Sequence, residues 1–198
     1  MRFSRPTTAV ILVLLLLVTR LIPPMLVKAF DSGFHMIGLR YLWNLTPLWG
    51  ACLFCGAMFR NRKLAFAVPL YAQLMGDLFY WQISGDFWQG FGMVQSLNYI
   101  LIAASVLVGM SLPRVPALPR LVGTGVAVAV GQWVLSNFAV WGLTSWYSHD
   151  VKGLSECFAM ALPFFPTTVA GTLLYGYGLF ALLGPDESRT LADNPASV

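Results

Sequence analysis

Charge is what this sequence has least of. Twelve Lys or Arg and eight Asp or Glu make up only 10% of 198 residues, where a soluble domain carries roughly 25%. A soluble core of this size could not hide so much apolar surface, and the remainder would aggregate. No basic run interleaved with aromatics is present, so nucleic acid is excluded as the partner behind the net charge of +4. Cysteine is scarce too: Cys52, Cys55 and Cys157 do not make a disulfide framework. No Gly-rich phosphate loop occurs. Ser136 and Ser155 have no identifiable His and acid partners, so nothing supports nucleophilic catalysis. The expectation is a protein that is not an enzyme, with no cofactor and no metal.

What the chain has in abundance is apolar length: 58% of it is hydrophobic, and lipid is the natural solvent for such a composition. Six apolar segments can be read along it. They run from about Thr8 to Met25, Pro47 to Phe59, Leu64 to Trp81, Phe91 to Leu112, Leu121 to Leu143 and Glu156 to Leu183. The first ends at Pro23-Pro24 and is read as an uncleaved helix despite its likeness to a signal peptide. The second opens on Pro47, which suits a first helical turn, but is short for a span of roughly 20 residues. Pro163 and Pro166 interrupt the sixth. The fold class expected is therefore an all-α integral membrane protein with six transmembrane helices. It forms one domain over residues 1–183, followed by a polar, disordered cytoplasmic tail over 184–198.

The positive charges divide unevenly between the two ends of these segments. The N-terminus, second loop, fourth loop and C-terminus hold Arg2, Arg5, Arg60, Arg62, Lys63, Arg114, Arg120 and Arg189. The other side holds Lys28, Arg40 and Lys152. An excess of Lys and Arg marks the cytoplasmic face. Both termini are thus expected in the cytoplasm of a multi-pass inner-membrane protein, with the lipid bilayer as its first partner. Tyr41, Trp43, Trp81, Trp88, Trp141, Trp146 and Tyr147 gather toward the outer ends as an aromatic belt or a lid.

Two charges fall clearly inside segments, Arg20 and Asp77. A charge at mid-bilayer costs at least roughly 2.5–3.5 kcal/mol, so it is normally paired or faces a cavity. At 1.5 Å per residue, Arg20 lies about 18 Å and Asp77 about 20 Å from the inner surface. The two are level, and an ion pair is possible if their helices are neighbours. Asn98 and Asn137 reach the same layer, Gln73 lies one turn below Asp77 on its face, and Asn44 sits at the mouth of the second segment. Thr167 and Thr168 enter from the sixth. Buried amides in lipid must find partners, so this convergence means either a hydrogen-bonded knot between helices or a pocket open to the outside. The candidate ligand-binding set is Arg20, Asn44, Asp77, Asn98, Asn137, Trp141 and Tyr147, with the two aromatics as an apolar wall.

Three smaller signals remain. Cys52-Leu53-Phe54-Cys55 has no further ligands to complete a metal site and reads as small residues packing between helices. His35 and His149 are loop residues. Gly123, Ala127 and Gly131 form a small-xxx-small stripe that lets another helix approach closely, either from within the chain or from a membrane protein partner.

Most of the chain also resembles a family. Asn44-Leu45-Thr46-Pro47 followed by Ala51, Gly56 and Ala57 is similar to the signature of an uncharacterised family of small bacterial membrane proteins. The likeness continues through Arg60-Asn61-Arg62-Lys63-Leu64-Ala65, Val68-Pro69-Leu70 and Asp77. It ends with Asn137-Phe138-Ala139-Val140-Trp141 and Ala161-Leu162-Pro163-Phe164-Phe165 with Thr168. That family in turn distantly resembles the substrate-binding S components of energy-coupling-factor vitamin transporters. The resemblance implies six helices, cytoplasmic termini and an outward-facing pocket covered by a long first loop, here Leu26 to Leu45. Many S components carry an alanine-xxx-alanine stripe on the first helix for docking. Here that helix reads Ile11 to Val18, all large and apolar, so either docking uses Gly123, Ala127 and Gly131 or there is no docking at all. The function implied is binding, or helping to import, a small solute with an energised partner. The alternative from a different class is a structural or assembly subunit of a membrane complex.

Overall fold

A computed structural model describes residues 5–29 and 44–185. These form α1 (Arg5–Ala29), α2 (Leu48–Met58), α3 (Arg62–Ser84), α4 (Phe87–Phe91), α5 (Met93–Met110), α6 (Leu118–Leu143), α7 (Val151–Ala161) and α8 (Phe165–Leu183). A 3-10 turn over Leu162–Phe164 joins the last two. The described residues contain no strand.

Local chemistry explains most boundaries. Asn61 caps α3, its side chain accepting from the Lys63 N–H at 3.0 Å, and satisfies one of the donors a helix start leaves open. Gly85 ends the same helix at φ 73°, a left-handed position that glycine takes without a Cβ clash. Asp86 then starts α4 by accepting from the Trp88 N–H at 2.9 Å. The fourth segment, expected to run unbroken from Phe91, is divided because Gly92 is extended (φ −63°, ψ 166°). Asp150 accepts from the Gly153 N–H at 2.7 Å, so α7 begins inside what reads as a polar loop. At the other end of the chain, α1 continues past Pro23-Pro24 to Ala29, four residues beyond the expected boundary. Two prolines remove two backbone donors, but that loss does not end the helix here. Most of the long loop expected over Leu26 to Leu45, with Arg40, Tyr41 and Trp43, lies outside the described residues, as does the tail from residue 186.

The centre of the molecule is α2, a helix of only 11 residues. In α2, every residue from Trp49 to Gly56 is buried, with α3, α5, α6 and α8 packed around it. Glycines make that proximity possible. A Cβ at Gly50 would come within 2.5 Å of the Gly176 backbone nitrogen on α8. One at Gly109 of α5 would come within 2.5 Å of the Leu53 carbonyl oxygen, and one at Gly56 would overlap the Val106 carbonyl. Phe54 meets Phe180 edge to face at 5.3 Å. Trp133 ties α6 to the α7–α8 junction, donating from Nε1 to the Ala161 carbonyl at 3.1 Å and packing on Phe158 and Phe165, each at 5.1 Å. Cys52 and Cys55 are buried in α2 and unpaired, as expected of small residues between helices.

The outside of the bundle is apolar. Leu174 is 62% and Leu182 80% exposed, with Leu107, Ile100 and Leu135 also at the surface. In water this would be an aggregation liability; in lipid it is the expected face. Among the described residues, three segments are long and apolar enough to cross a membrane: Met93–Met110, Leu118–Leu143 and the joined Val151–Leu183. The described residues are all-helical in fold class, and the protein is of membrane type. By comparison α2, at 11 residues, is about 16 Å long, so its helical part alone is shorter than a core roughly 30 Å thick, and a crossing there would include the buried non-helical residues on either side of it.

Candidate functional site

The charged centre is built where α1, α3 and α5 meet. Asp77 of α3 is only 1% exposed, and a carboxylate at that depth must be fully hydrogen-bonded. Four side chains supply the donors. Arg20 of α1 forms an ion pair with Oδ1 through Nη2. Tyr99 of α5 donates its hydroxyl to Oδ2 at 2.6 Å. Gln95, one turn earlier on α5, donates from Nε2 to Oδ1 at 2.7 Å. Gln73, one turn before Asp77 on α3, places Nε2 at 3.2 Å from Oδ2 and 3.3 Å from Oδ1. Asn98 holds Gln95 in place by donating from Nδ2 to its Oε1 at 2.9 Å. The equal depths of Arg20 and Asp77 thus become a direct contact, because α1 packs against α3.

Glycine shapes this centre as well. A Cβ on Gly76 would collide with the Arg20 side chain, so the absence of one lets the arginine lie along α3. Gly90 lets α4 lie close against α3, where a Cβ would stand 2.9 Å from the Asp77 carbonyl oxygen. The result is a charge-compensated cluster. The carboxylate has roughly four lone-pair sites, and four donors meet them. Its chemistry is that of an anchor rather than of an exposed base. The Arg20 side chain remains 34% exposed, and beside it opens a cavity of about 30 Å³ between α1, the start of α2 and α3.

The remaining sequence-predicted residues stand elsewhere. Asn44 lies in the turn before α2, its carbonyl packed toward Gly171 of α8. Asn137 donates from Nδ2 to Trp133 of its own helix at 2.7 Å. Trp141 donates from Nε1 to the Ser148 carbonyl at 2.9 Å and meets His149 at 6.0 Å. Tyr147 is half-buried in the same α6–α7 turn. Trp141 fastens that turn through Ser148, and none of the three gives a hydrogen bond to Asp77. Thr167 and Thr168 both donate back to Phe164, a backbone use common for hydroxyls on helices. Two members of the Asp77 cluster, Gln95 and Tyr99, were not read from the sequence. Their signal was a four-residue spacing that puts two polar groups on one face at the outer end of an apolar segment.

A second feature lies between α5 and α6. Ala127 and Gly131 line an open apolar groove of about 190 Å³, together with Leu101, Ser105 and Gln132. A Cβ added at Gly123 or Gly131 would meet nothing within 4 Å. The stripe noted in the sequence is therefore not filled by a helix of the described chain.

One family model matches residues 2–189, nearly the full chain. The chain belongs to DUF6580, a family of unknown function. No curated protein and no solved structure matches it. DUF6580 membership agrees with the likeness to an uncharacterised family carried by the Asn44-Leu45-Thr46-Pro47 and Arg60-Asn61-Arg62-Lys63 motifs. It assigns no role to any residue of the cluster.

Proposed function

We propose that this DUF6580 protein crosses the bacterial inner membrane six times with both termini in the cytoplasm. In this reading it binds a small solute from the outer side and helps its import with an energised partner. The single observation that carries the reading is the Asp77 cluster with its adjoining cavity: a costly, charge-compensated polar centre inside an apolar bundle, open at the Arg20 side. Ionisable groups at membrane depth generally mark solute or ion pathways. The bias of Lys and Arg toward one set of loops supports the orientation. Arg20, Gln73 and Asp77 would set the electrostatics of the floor. Asn98 would steady that floor through Gln95.

The test is a melt of the purified protein against a library of small polar molecules. A binder raises the melting temperature according to RT ln(1 + [L]/Kd), and Asp77→Asn should abolish that rise. A library that leaves the melt unmoved across millimolar concentrations would overturn the reading. A structural or assembly role is the second reading, favoured by the open groove at Ala127 and Gly131. It requires a stoichiometric partner in mild-detergent extracts, lost on Ala127→Leu.

A further inference from the structure

One polar atom of the cluster is left over. Gln73 is 2% exposed, and its Nε2 faces both oxygens of Asp77 at 3.2 and 3.3 Å. That contact fixes which way the amide points, because the reverse orientation would set an oxygen against a carboxylate. Its Oε1 is therefore turned away from Asp77. It is buried and accepts no hydrogen bond. Gln73 also lines the cavity of about 30 Å³, beside Arg20, Thr19, Thr46 and Pro47. A water needs about 10–15 Å³ of such volume and two to four polar partners. The space suffices for one or two waters, and Gln73, Arg20, Thr19 and Thr46 stand in its wall, the Thr19 hydroxyl already donating to the carbonyls of Leu15 and Leu16.

We infer that this cavity is a subsite for a neutral hydrogen-bond donor: water at rest, and the hydroxyl of a bound solute in its place. Charge decides the class. The carboxylate of Asp77 is already matched by Arg20 and three neutral donors. An ammonium in the cavity would face the Arg20 guanidinium. A carboxylate would bring Gln73 Oε1 no donor and leave that buried acceptor unsatisfied. A hydroxyl or water donates to Oε1 and still accepts from its neighbours. The solute half of this inference rests on the solute-binding reading above; the hydration half does not.

Both halves are tested on the full-length protein in nanodiscs. Hydroxyl-radical footprinting in ¹⁸O-labelled water reports buried water through oxidation of adjacent side chains. Leu16 lines the cavity, whereas Leu53 is equally a core leucine without a place in its wall. Expected is several-fold greater ¹⁸O incorporation at Leu16 than at Leu53, falling to the Leu53 level in Leu48→Phe, which fills the cavity from its rim. Equal labelling in the wild-type protein overturns the inference. The second arm compares melting shifts of the wild type and Gln73→Leu in ethylene glycol, ammonium chloride and sodium formate at equal concentration. Only the glycol shift should depend on Gln73. A Gln73-dependent shift with ammonium or formate overturns the neutral class. Footprinted water without a Gln73-dependent glycol shift upholds the hydration site and overturns the solute half. If Gln73→Leu does not fold, Leu48→Phe replaces it in this arm.

Discussion

Arg20 and Asp77 do not contribute symmetrically. Asp77 is sealed in the bundle, while a third of the Arg20 side chain reaches the surface. Removing the arginine strands a buried carboxylate on neutral donors; removing the carboxylate leaves a cation that can turn toward solvent or the interface. Arg20→Gln should therefore destabilise by about 3–5 kcal/mol, Asp77→Asn by less, and the double variant by less than Arg20→Gln alone. Denaturant-titrated unfolding in detergent measures all three, and strictly additive losses would mean that the two side chains do not meet. Gly76 belongs to the same unit. Gly76→Ala puts a methyl group where the arginine side chain runs, and should reproduce most of the Arg20→Gln loss although it removes no charge.

Among the helices, glycine position decides which contacts are close. Gly109→Ala on α5 forces a Cβ against backbone atoms of Leu53, which cannot rotate away, and should cost about 1–3 kcal/mol as an overpacked contact. Gly123→Ala on α6 meets open space and should be neutral or stabilising by up to about 1 kcal/mol, the gain in helix propensity. The same unfolding measurement separates them. The start of α7 is sensitive to pH instead. The Gly153 N–H, then the Ser148 hydroxyl, hold the Asp150 carboxyl below its ordinary value. A lowered carboxylate pKa contributes stability above the unfolded value of about 3.9, and that contribution is lost as pH falls through the lower folded value. Amide exchange at Val151–Leu154, corrected for intrinsic rate, should rise on acidification below about pH 4. In Asp150→Ala it should be raised already at neutral pH.

For the molecule as a whole, orientation follows from charge placement. A fluorescent reporter joined after Val198 should fold in the cytoplasm, and alkaline phosphatase at the same place should stay inactive. The opposite result would invert the bundle and put the Arg20 cavity on the cytoplasmic side. Function belongs to this scale too, because an occupant of the groove at Ala127 and Gly131 would come from outside the described chain. Ala127→Leu should leave the melting temperature of the isolated protein within a degree or so, since a surface change away from tight contacts is worth about ±0.5 kcal/mol.

Apolar runs and loop charges alone determined that this protein is helical, that it belongs in lipid, and that Arg20 and Asp77 stand at one depth. Those conclusions depend on composition and on a constant rise per residue, both of which are read along the chain. Tertiary structure decided what shares that depth with them. Gln95 and Tyr99 joined the cluster and Asn137, Trp141 and Tyr147 did not, because neighbour choice depends on which helices pack and on the rotation of each about its axis. Gly50, Gly56, Gly109 and Gly176 set that packing by bringing α2 against α5 and α8. The stripe most visible in the sequence, Gly123, Ala127 and Gly131, remained open, since a period of four shows where a close approach is allowed and only packing shows where one is made.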